Sequence, residues 1–570
     1  MNKKIVIKTL EKIALLLELQ GENPFKVSAF RKAANALELD ERSLSEIEDI
    51  TKLKGIGKGT ATVIHELIET GGSSQLKELE EAVPKGLIPL LKLPGLGGKK
   101  LAKLYSELGV DSAESLKEAC ESHKIQKLAG FGPKSEEKIL KELEHFGERS
   151  ERLPIWYLQE IVEELNGLLK SIDAVQKFSV AGSFRRVSEM SKDVDFIVAT
   201  EQPVAVKDQL LKILAVKEVV AAGDTKVSVI LEAEDPVSVD FRLVALKEYT
   251  TALHHFTGSK DHNIRMRQLA KEQGKKISEY GVEQPDGSIV TFDSEVEFFD
   301  HFGLPFIPPT VRESGKELES LDELDGLVSL EQIVSDLHMH TTWSDGAHTV
   351  KEMGEALIER GYTHGVITDH SQYLKVANGL TPERLKKQRL EIIDFNEAHP
   401  DFRLFAGTEM DILPDGSLDF EDGVLKELDF VIASIHSSFS QSQDKIMDRL
   451  YTAIQNPYVD MIAHPTGRII GQREGYNPDI PQLIEWAAQY GKILELNASP
   501  YRLDLCIEHL VMAMEHNVPI AINTDAHAIE QLDVMEIGTK YAQKAWLKKE
   551  LIVNTWSLQQ FETFINRNKR

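Results

Sequence analysis

The sequence contains very little cysteine. Only two cysteines, Cys120 and Cys506, occur in 570 residues, and no Cys-x-x-Cys pair is present. A disulfide framework and a zinc ribbon are therefore excluded. Low cysteine usage of this kind is typical of a reducing compartment, so we expect a cytoplasmic protein.

Long apolar runs are also missing. No stretch approaches the roughly 20 apolar residues that cross a bilayer, which excludes a spanning helix. The opening MNKKIVIKTLEKIALLLEL starts with basic residues like a signal peptide, but Lys8, Glu11 and Lys12 interrupt its apolar run. We therefore expect an amphipathic helix there and no role in a membrane.

Basic charge is scarce as well. The chain carries 66 Lys and Arg against 92 Asp and Glu, which gives a net charge of −26. Such a balance opposes general nucleic-acid binding, because that binding depends on Lys and Arg replacing counterions at phosphates. Local basic or backbone-amide sites can still bind phosphate, and some of the excess acids are explained if they are metal ligands.

The character of the sequence changes several times along the chain. Apolar residues have helical spacing up to about residue 150, and β-rich runs such as DVDFIVAT follow, with helices between them. Near the C-terminus short apolar strands alternate with helices, which predicts a parallel sheet or barrel. The expected segments are 1–90, 91–151, 152–243, 244–315, an acidic linker or helix at 316–332, and 333–570.

Three N-terminal segments place Gly-x-Gly ahead of a helix, in the manner of a helix-hairpin-helix: LKGIGKGTA, LPGLGGKKLAKLY and LAGFGPKSEEKI. The glycines permit a tight turn, so that the free N–H groups of the following helix can bind a DNA phosphate. Any single copy fits a purely structural turn equally well, but three copies favour DNA binding. The candidate phosphate-binding residues are Gly55, Gly57, Gly95, Gly97, Lys99 and Lys100.

Three acids predict the first chemical site. Asp193 and Asp195 lie two apart on one apolar strand and so share a face, and Asp240 lies inside another strand. Converging carboxylates repel one another unless divalent cations hold them, and oxygen ligands suit Mg²⁺. A turn at Gly182 and Ser183, followed by Arg186, is suited to a triphosphate. These residues predict a nucleotidyltransferase; the alternative is surface acids beside an exposed loop.

GSFRR, the Asp-x-Asp pair, VDFR and FTGS resemble, in this order, the bacterial X-family DNA polymerases with a polymerase beta-like core, over residues 1 to 315. The resemblance implies an all-α helix-hairpin-helix region, an α/β nucleotidyltransferase palm and an α+β thumb. It also implies template-directed filling of short gaps in DNA repair from dNTPs, with two Mg²⁺ or Mn²⁺ ions on the three acids. The implied nucleotide-binding residues are Arg152, Gly182, Ser183, Arg186, His255, Phe256, Gly258, Asn263 and Arg267.

Two positions depart from the family pattern. His255 stands where the family has a tyrosine beside the sugar, which puts discrimination against ribonucleotides in doubt. Val63 stands at the position of the family's Schiff-base lysine, and a valine is no nucleophile, so we expect no lyase activity. The stretch NPFKVSAFRKAANAL nevertheless resembles the family's 5′-phosphate-binding region, with Lys26, Arg31 and Lys32 as the basic residues.

The C-terminal segment predicts a second metal site. His338 and His340 share one face of a strand, and further His and acid residues follow almost every later apolar strand. A lone histidine at a strand end is usually structural, but nine such residues exceed what one zinc ion needs. Two or three Mn²⁺ or Zn²⁺ ions that activate water fit better. The candidates are His338, His340, Asp345, His370, Glu409, His436, His464, Asp525 and His527.

HMH, TDH, GTEMD, SIHS, AHP and TDAH resemble the PHP (polymerase and histidinol phosphatase) superfamily, over residues 333 to 570. The resemblance implies a distorted (β/α)7 barrel with a metal centre, and Arg468 and Arg473 are weaker candidates for a substrate phosphate. Fusion to a polymerase implies a 3′-5′ exonuclease, with abasic-site incision as a further activity. This last step depends on the association of domains alone.

Two other functions compete with a bifunctional polymerase. One is a DNA-binding phosphoesterase or scaffold with a vestigial polymerase, which the intact acid set disfavours. The other is a small-molecule phosphatase of the histidinol-phosphate type, which leaves the Gly-x-Gly repeats unexplained. We expect gapped or primer-template DNA and dNTP as partners, a monomer, and a cytoplasmic, nucleoid-associated location.

Overall fold

A computed structural model describes residues 3–38, 47, 49–84, 86–91, 93, 96–144, 152–233 and 235–567 of the chain. The chain divides into two compact units, Met1–Glu151 and Arg152–Arg570. No described helix is both long and apolar enough to span a membrane.

The first unit is helical throughout its described residues, as predicted. Its opening helix buries Val6, Leu10, Ile13 and Leu17 on one face, which is the amphipathic pattern expected from the sequence. Gly57 and Gly97 are the N-caps of two later helices. The helices are α1 Lys3–Leu19, α2 Pro24–Glu38, α3 Lys58–Thr70, α4 Ser74–Ala82, α5 Leu87–Leu90, α6 Gly98–Leu108, α7 Ala113–Glu121 and α8 Pro133–Glu144.

The second unit begins with the palm, whose described residues form a five-stranded sheet in the order β2-β4-β7-β6-β5. Only β4 and β7 run parallel in it, and the burial of β7 alternates strictly, which gives one face to the core. The palm elements are β1 Leu153–Pro154, α9 Ile155–Lys170, β2 Lys177–Val180, α10 Gly182–Arg185, β3 Met190–Ser191, β4 Asp193–Ala199, α11 Pro203–Ile213, β5 Val216–Ala222, β6 Lys226–Leu231 and β7 Val237–Val244.

The thumb follows the palm and is built around an aromatic core that contains Phe298 and Phe299. The predicted linker at 316–332 forms short 3₁₀ turns, and its Glu317 is buried against His262 of the thumb, with 2.7 Å between the carboxylate oxygen and Nδ1. The thumb elements are α12 Tyr249–Thr257, α13 Lys260–Glu272, β8 Lys276–Ser278, β9 Gly281–Glu283, β10 Ile289–Val290 and α14 Glu295–Asp300.

The remaining residues form the barrel, which is described without gaps up to residue 567. Its seven strands are all parallel and follow chain order, and the His340 N–H donates to the Ala526 carbonyl (2.8 Å) to nearly close the ring. The predicted (β/α)7 class is thereby confirmed. The strands are β11 Ser335–Asp336, β12 His364–Ile367, β13 Arg403–Asp411, β14 Phe430–Ser434, β15 Met461–Ile462, β16 Ile493–Asn497 and β17 Ile520–Asn523.

Helices cover the outside of this barrel, as strand-helix alternation requires. Their bounds are α15 Val350–Glu359, α16 Pro382–Ala398, α17 Asp422–Leu425, α18 Gln443–Gln455, α19 Ile480–Tyr490, α20 Ile507–Glu515, α21 Met535–Lys544 and α22 Leu558–Ile565.

Candidate active sites

The palm brings its three predicted acids together. Asp195 on β4 is the register partner of Asp240 on the parallel strand β7, and Asp193 lies two residues earlier on the same face. Burial, and then the charges of Asp193 and Asp240, raise the pKa of Asp195 to about 7. Burial and the charge of Asp240 raise the pKa of Asp193 as well. Such mutual repulsion is relieved when a divalent cation binds between the carboxylates.

A lysine that the sequence does not single out also contacts this site. The Lys226 ammonium on β6 lies 2.6 Å from a carboxylate oxygen of Asp240. Only the pairing of β6 with β7 places it there, and no local pattern signals it. Lys226 therefore supplies one positive charge to the acid cluster.

Gly182 brings the palm backbone against Asp195. Its φ is +62°, and a Cβ added there would lie 2.4 Å from the Asp195 carboxylate oxygen, so a side chain is excluded. The next residue, Ser183, donates its hydroxyl to Ser191 (2.8 Å). Arg152 reaches the same segment, where its guanidinium donates to the Met190 carbonyl (3.5 Å). Gly182, Ser183 and Arg152 thus lie around the acids.

Arg186 joins the palm to the thumb. Its guanidinium donates to the Thr257 carbonyl (2.6 Å), and its Nε lies 3.2 Å from a carboxylate oxygen of Glu313. Gly258 follows Thr257 with φ +68°, and a Cβ there would lie 3.4 Å from the Arg186 guanidinium. Phe256 is covered by the guanidinium of Arg242, 4.5 Å from the ring centre.

The other predicted nucleotide-binding residues lie on α12 and α13. The Asn263 amide donates to the His255 carbonyl (2.7 Å), which fixes the end of α12. The His255 ring lies 4.9 Å from the Phe256 ring, and burial lowers the pKa of His255. Arg267 is exposed, one helical turn beyond Asn263. The structure therefore groups these residues on one side of the thumb.

The helix-hairpin-helix glycines occupy the turns expected of them. Gly55 has φ +118°, and a Cβ there would lie 3.1 Å from the Lys32 carbonyl of α2. Gly57 and Gly97 cap α3 and α6, whereas Gly95 lies outside the described residues. Exposed Lys99 and Lys100 stand in the first turn of α6, the end of a helix that favours an anion. The Lys100 N–H itself donates to the Gly97 carbonyl (2.9 Å), and its ammonium lies over the Phe131 ring.

The predicted 5′-phosphate region presents its basic residues to solvent. Lys26, Arg31 and Lys32 are exposed on α2. Lys26 pairs with Glu22 at 3.7 Å, an exposed contact of little strength. Arg31 pairs at 2.5 Å with Glu18, whose side chain is largely buried. Val63 on α3 is 5% exposed within the core.

The barrel gathers the nine predicted ligands at the carboxyl ends of its strands. His338, His340 and Asp345 follow β11, Glu409 lies on β13, and the others follow β12, β14, β15 and β17. The His338 and His340 Nε2 atoms are 3.3 Å apart and buried. Ligand atoms lie within 4.8 Å of one another in three groups: His340, Asp345, His370 and His527; His338, His340 and Asp525; and His370, Glu409 and His436.

Glu409 is the centre of this cluster. Its carboxylate oxygens lie 2.9 Å from His464, 3.1 Å from His436 and 2.9 Å from His370. Burial opposes its ionisation, but the neighbouring imidazoles outweigh burial and hold its pKa well below the usual value. Burial and nearby imidazoles lower the pKa of His340 to about 3, which keeps its ring neutral as a metal ligand must be. The acids have the opposite effect on two other rings: against burial, they raise the pKa of His436 to about 10 and that of His527 to about 9, and a bound cation would replace those protons. Imidazoles and carboxylates in such contact fit a site for two or more cations.

A second layer of polar residues orients the ligands and was not predicted. The Glu495 carboxylate on β16 lies 2.7 Å from His338 Nδ1 and accepts the His464 backbone N–H at 2.7 Å. The Asn523 amide donates to Glu495 (2.9 Å). An acid inside the apolar run ILELN is the sequence signal that would have identified Glu495, and the structure buries it fully.

The two arginines proposed for a substrate phosphate have protein partners. The Arg468 guanidinium contacts Glu189 of the palm loop and the Arg502 and Leu503 carbonyls. The Arg473 Nε donates to the Gly467 carbonyl (3.0 Å), and its guanidinium lies over the Phe439 ring. Most donors of Arg468 are therefore already used, and the structure does not favour a phosphate contact by this residue.

Family models match four parts of the chain. A helix-hairpin-helix domain model matches residues 1–73, and a SAM-like helix-hairpin-helix tandem model matches 87–144. The DNA polymerase beta thumb model matches residues 252–313, and the PHP domain model matches 336–499.

Similar proteins fall into two kinds. The DNA polymerase/3′-5′ exonuclease PolX of Bacillus subtilis (strain 168) is 59% identical over 569 residues, which is 100% of both chains. Probable phosphatases of Thermoanaerobacter sp. (strain X514) and Caldanaerobacter subterraneus subsp. tengcongensis are 30% and 29% identical over 250 residues, covering 42% of this chain and 97% and 93% of theirs. Since the first match spans both chains fully and the polymerase thumb and PHP models also match, this chain belongs to the PolX family of DNA polymerases with 3′-5′ exonuclease activity.

Proposed function

We propose that the palm fills short gaps during DNA repair and that Asp193, Asp195 and Asp240 are its catalytic carboxylates. The observation that carries this proposal is the parallel register of Asp195 with Asp240, with Gly182 against the same carboxylate. Ser183, Arg186 and Arg152 would bind the phosphates of the incoming dNTP, while Phe256, Gly258, Asn263 and Arg267 would position its sugar and base.

Mg²⁺ or Mn²⁺ ions would be held by the three acids, and when bound they neutralise charge on the phosphoryl groups. Lys226 would hold Asp240 in place between cation-bound states. The Arg186 guanidinium donates to the Thr257 carbonyl at the start of the thumb. By also binding the triphosphate, Arg186 would contact the nucleotide from the palm while remaining bound to the thumb.

For the barrel we propose hydrolysis of DNA 3′ ends, with the nine clustered residues holding Mn²⁺ or Zn²⁺. Such ions supply a water nucleophile at neutral pH. Glu495 would fix the orientation of His338, and Asp411, whose carboxylate lies 3.3 Å from His436 Nδ1, would do the same for His436. Abasic-site incision is the second reaction that we propose for this site, because it also hydrolyses a phosphodiester bond of DNA.

The test is gap filling and 3′-end degradation by two variants. Asp193→Ala should lower synthesis by about 100-fold or more and spare hydrolysis, because only the palm loses a ligand. His338→Ala should do the reverse. Exposed Asp208→Ala and His516→Ala are matched controls that should change neither activity. If each variant removed both activities without unfolding, the assignment of two independent sites would be wrong. Faster hydrolysis of a phosphate monoester than of a DNA 3′ end would instead favour a small-molecule phosphatase.

A further inference from the structure

One palm loop is bound to the barrel by a partly buried ion pair. Glu189 lies between α10 and β3, in the loop that begins with the proposed triphosphate residues. The Arg468 guanidinium of the barrel contacts both of its carboxylate oxygens, at 2.9 and 3.3 Å. The side chains are only 29% and 18% exposed, so the pair is shielded from solvent. A bidentate pair of this kind fixes both position and orientation.

The barrel side of this contact is rigid. The Tyr541 hydroxyl on α21 donates to the same Glu189 carboxylate, and the Tyr541 side chain is fully buried. Arg468 Nε donates to the Arg502 carbonyl (2.9 Å), and a terminal nitrogen donates to the Leu503 carbonyl. Contacts within the barrel thus fix the Arg468 guanidinium independently of the palm. The Arg468 side chain therefore loses little further conformational entropy when it pairs with Glu189.

A third barrel residue contacts the same loop three residues earlier. The Lys544 ammonium at the end of α21 donates to the Arg186 carbonyl (3.0 Å). It also binds the Glu313 carboxylate, which is the acid that pairs with the Arg186 guanidinium. Lys544 therefore holds the Arg186 backbone in place. It also shares the Glu313 carboxylate with the Arg186 guanidinium, so Glu313 does not pair with Arg186 alone.

The loop also needs support because its backbone is strained. Val187 has φ +53°, a conformation that β-branched residues rarely adopt. Its side chain is 4% exposed and belongs to the hydrophobic core of the barrel. Nearby, the Trp156 indole donates to the Ile470 carbonyl of the barrel (2.9 Å). Strain of this kind persists only where surrounding packing fixes the conformation, and here that packing comes from the barrel.

We propose that Arg468, Tyr541 and Lys544 of the barrel are positioning residues for nucleotide binding in the palm. They hold the Gly182–Ser191 loop in the conformation that presents Ser183 and Arg186 to a triphosphate. This proposal rests on the proposed palm function. The barrel would then contribute to synthesis through contacts that are separate from its own metal ligands.

The test uses Glu189→Gln, Tyr541→Phe and Lys544→Met in the full chain, with single-nucleotide gap filling to obtain the dNTP KM and kcat. Each variant removes a hydrogen bond to a charged group and should raise the dNTP KM about tenfold, with kcat within about twofold. Hydrolysis of a 3′ end by Glu189→Gln should stay within about twofold, because Glu189 is in the palm. Lys544→Arg should restore the KM.

Lys540→Met is the matched control, because Lys540 is on the same helix in an exposed pair with Glu536. It should leave KM unchanged. A dNTP KM within about twofold of the parent in all three variants would overturn the proposal, as would equal losses of synthesis and hydrolysis with a lowered Tm. Failure of the palm assignment itself is distinguishable, because Asp193→Ala would then retain synthesis.

Discussion

At Gly182 the palm backbone approaches a carboxylate more closely than any side chain permits. The added Cβ of an alanine would lie 2.4 Å from the Asp195 oxygen, at φ +62°. We expect Gly182→Ala to lower gap filling about 100-fold, because either the loop or Asp195 must move away from the metal-binding position. Primer extension on gapped DNA measures the effect, and 3′-end hydrolysis should not change.

The control is another palm glycine with free space around it. Gly167 lies within α9, and a Cβ there meets nothing within 4 Å. Gly167→Ala should keep full synthesis and gain about 0.5–1 kcal/mol in free energy of unfolding from helix propensity. Normal synthesis by Gly182→Ala would show that the close contact with Asp195 has no catalytic importance.

Residue patterns predicted the acids but not their partners. Asp193 and Asp195 could be paired from the two-residue period of a strand, which is a local property. Lys226 contacts Asp240 only through the register of β6 with β7, and Arg468 meets Glu189 across 279 residues of sequence. Contacts of that kind depend on tertiary packing, which is why a phosphate contact was predicted for Arg468 instead.

At the scale of elements, β16 shows how a strand controls the metal ligands beside it. Glu495 in this strand binds His338 and the His464 backbone from within the core. We expect Glu495→Gln to weaken metal binding by about 10- to 100-fold, because the imidazole loses its anionic partner. Hydrolysis titrated with Mn²⁺ should therefore need more metal to reach its maximum.

Glu485→Gln on the exposed face of α19 serves as the control and should follow the parent titration. An unchanged metal requirement in Glu495→Gln would mean that His338 is oriented by its strand alone.

The elements themselves were largely predictable. Strand-helix alternation after residue 333 predicted the parallel barrel, because buried parallel strands and amphipathic helices have distinct periods. The structure of segment 316–332 was less predictable, since its acidic composition indicates solvent exposure. Glu317 is instead buried, because His262 offers it a hydrogen bond within the thumb.

For the whole molecule, the net charge of −26 means that DNA must be bound through local sites. Lys99 and Lys100 stand beside the N-terminus of α6, where lysine charge adds to the positive end of the helix dipole. Replacing both with glutamine should weaken binding of gapped DNA and reduce the slope of log K against log salt by about 2, because each phosphate that a lysine neutralises adds about one unit to that slope. Fluorescence anisotropy over a salt series measures this slope.

Lys117→Gln on α7 removes a lysine that is not beside a Gly-x-Gly turn, and its slope should match the parent. Equal slopes for the parent and the double variant would place the phosphate-binding residues elsewhere.

We expect this one chain to hold two separate groups of divalent cations, one in the palm and one in the barrel. Anomalous diffraction from crystals soaked in Mn²⁺ tests it most directly. We expect peaks among Asp193, Asp195 and Asp240, and at least two peaks within the barrel cluster around Glu409. A strong barrel signal with none at the palm acids, or ligands that point apart at either site, would contradict the account.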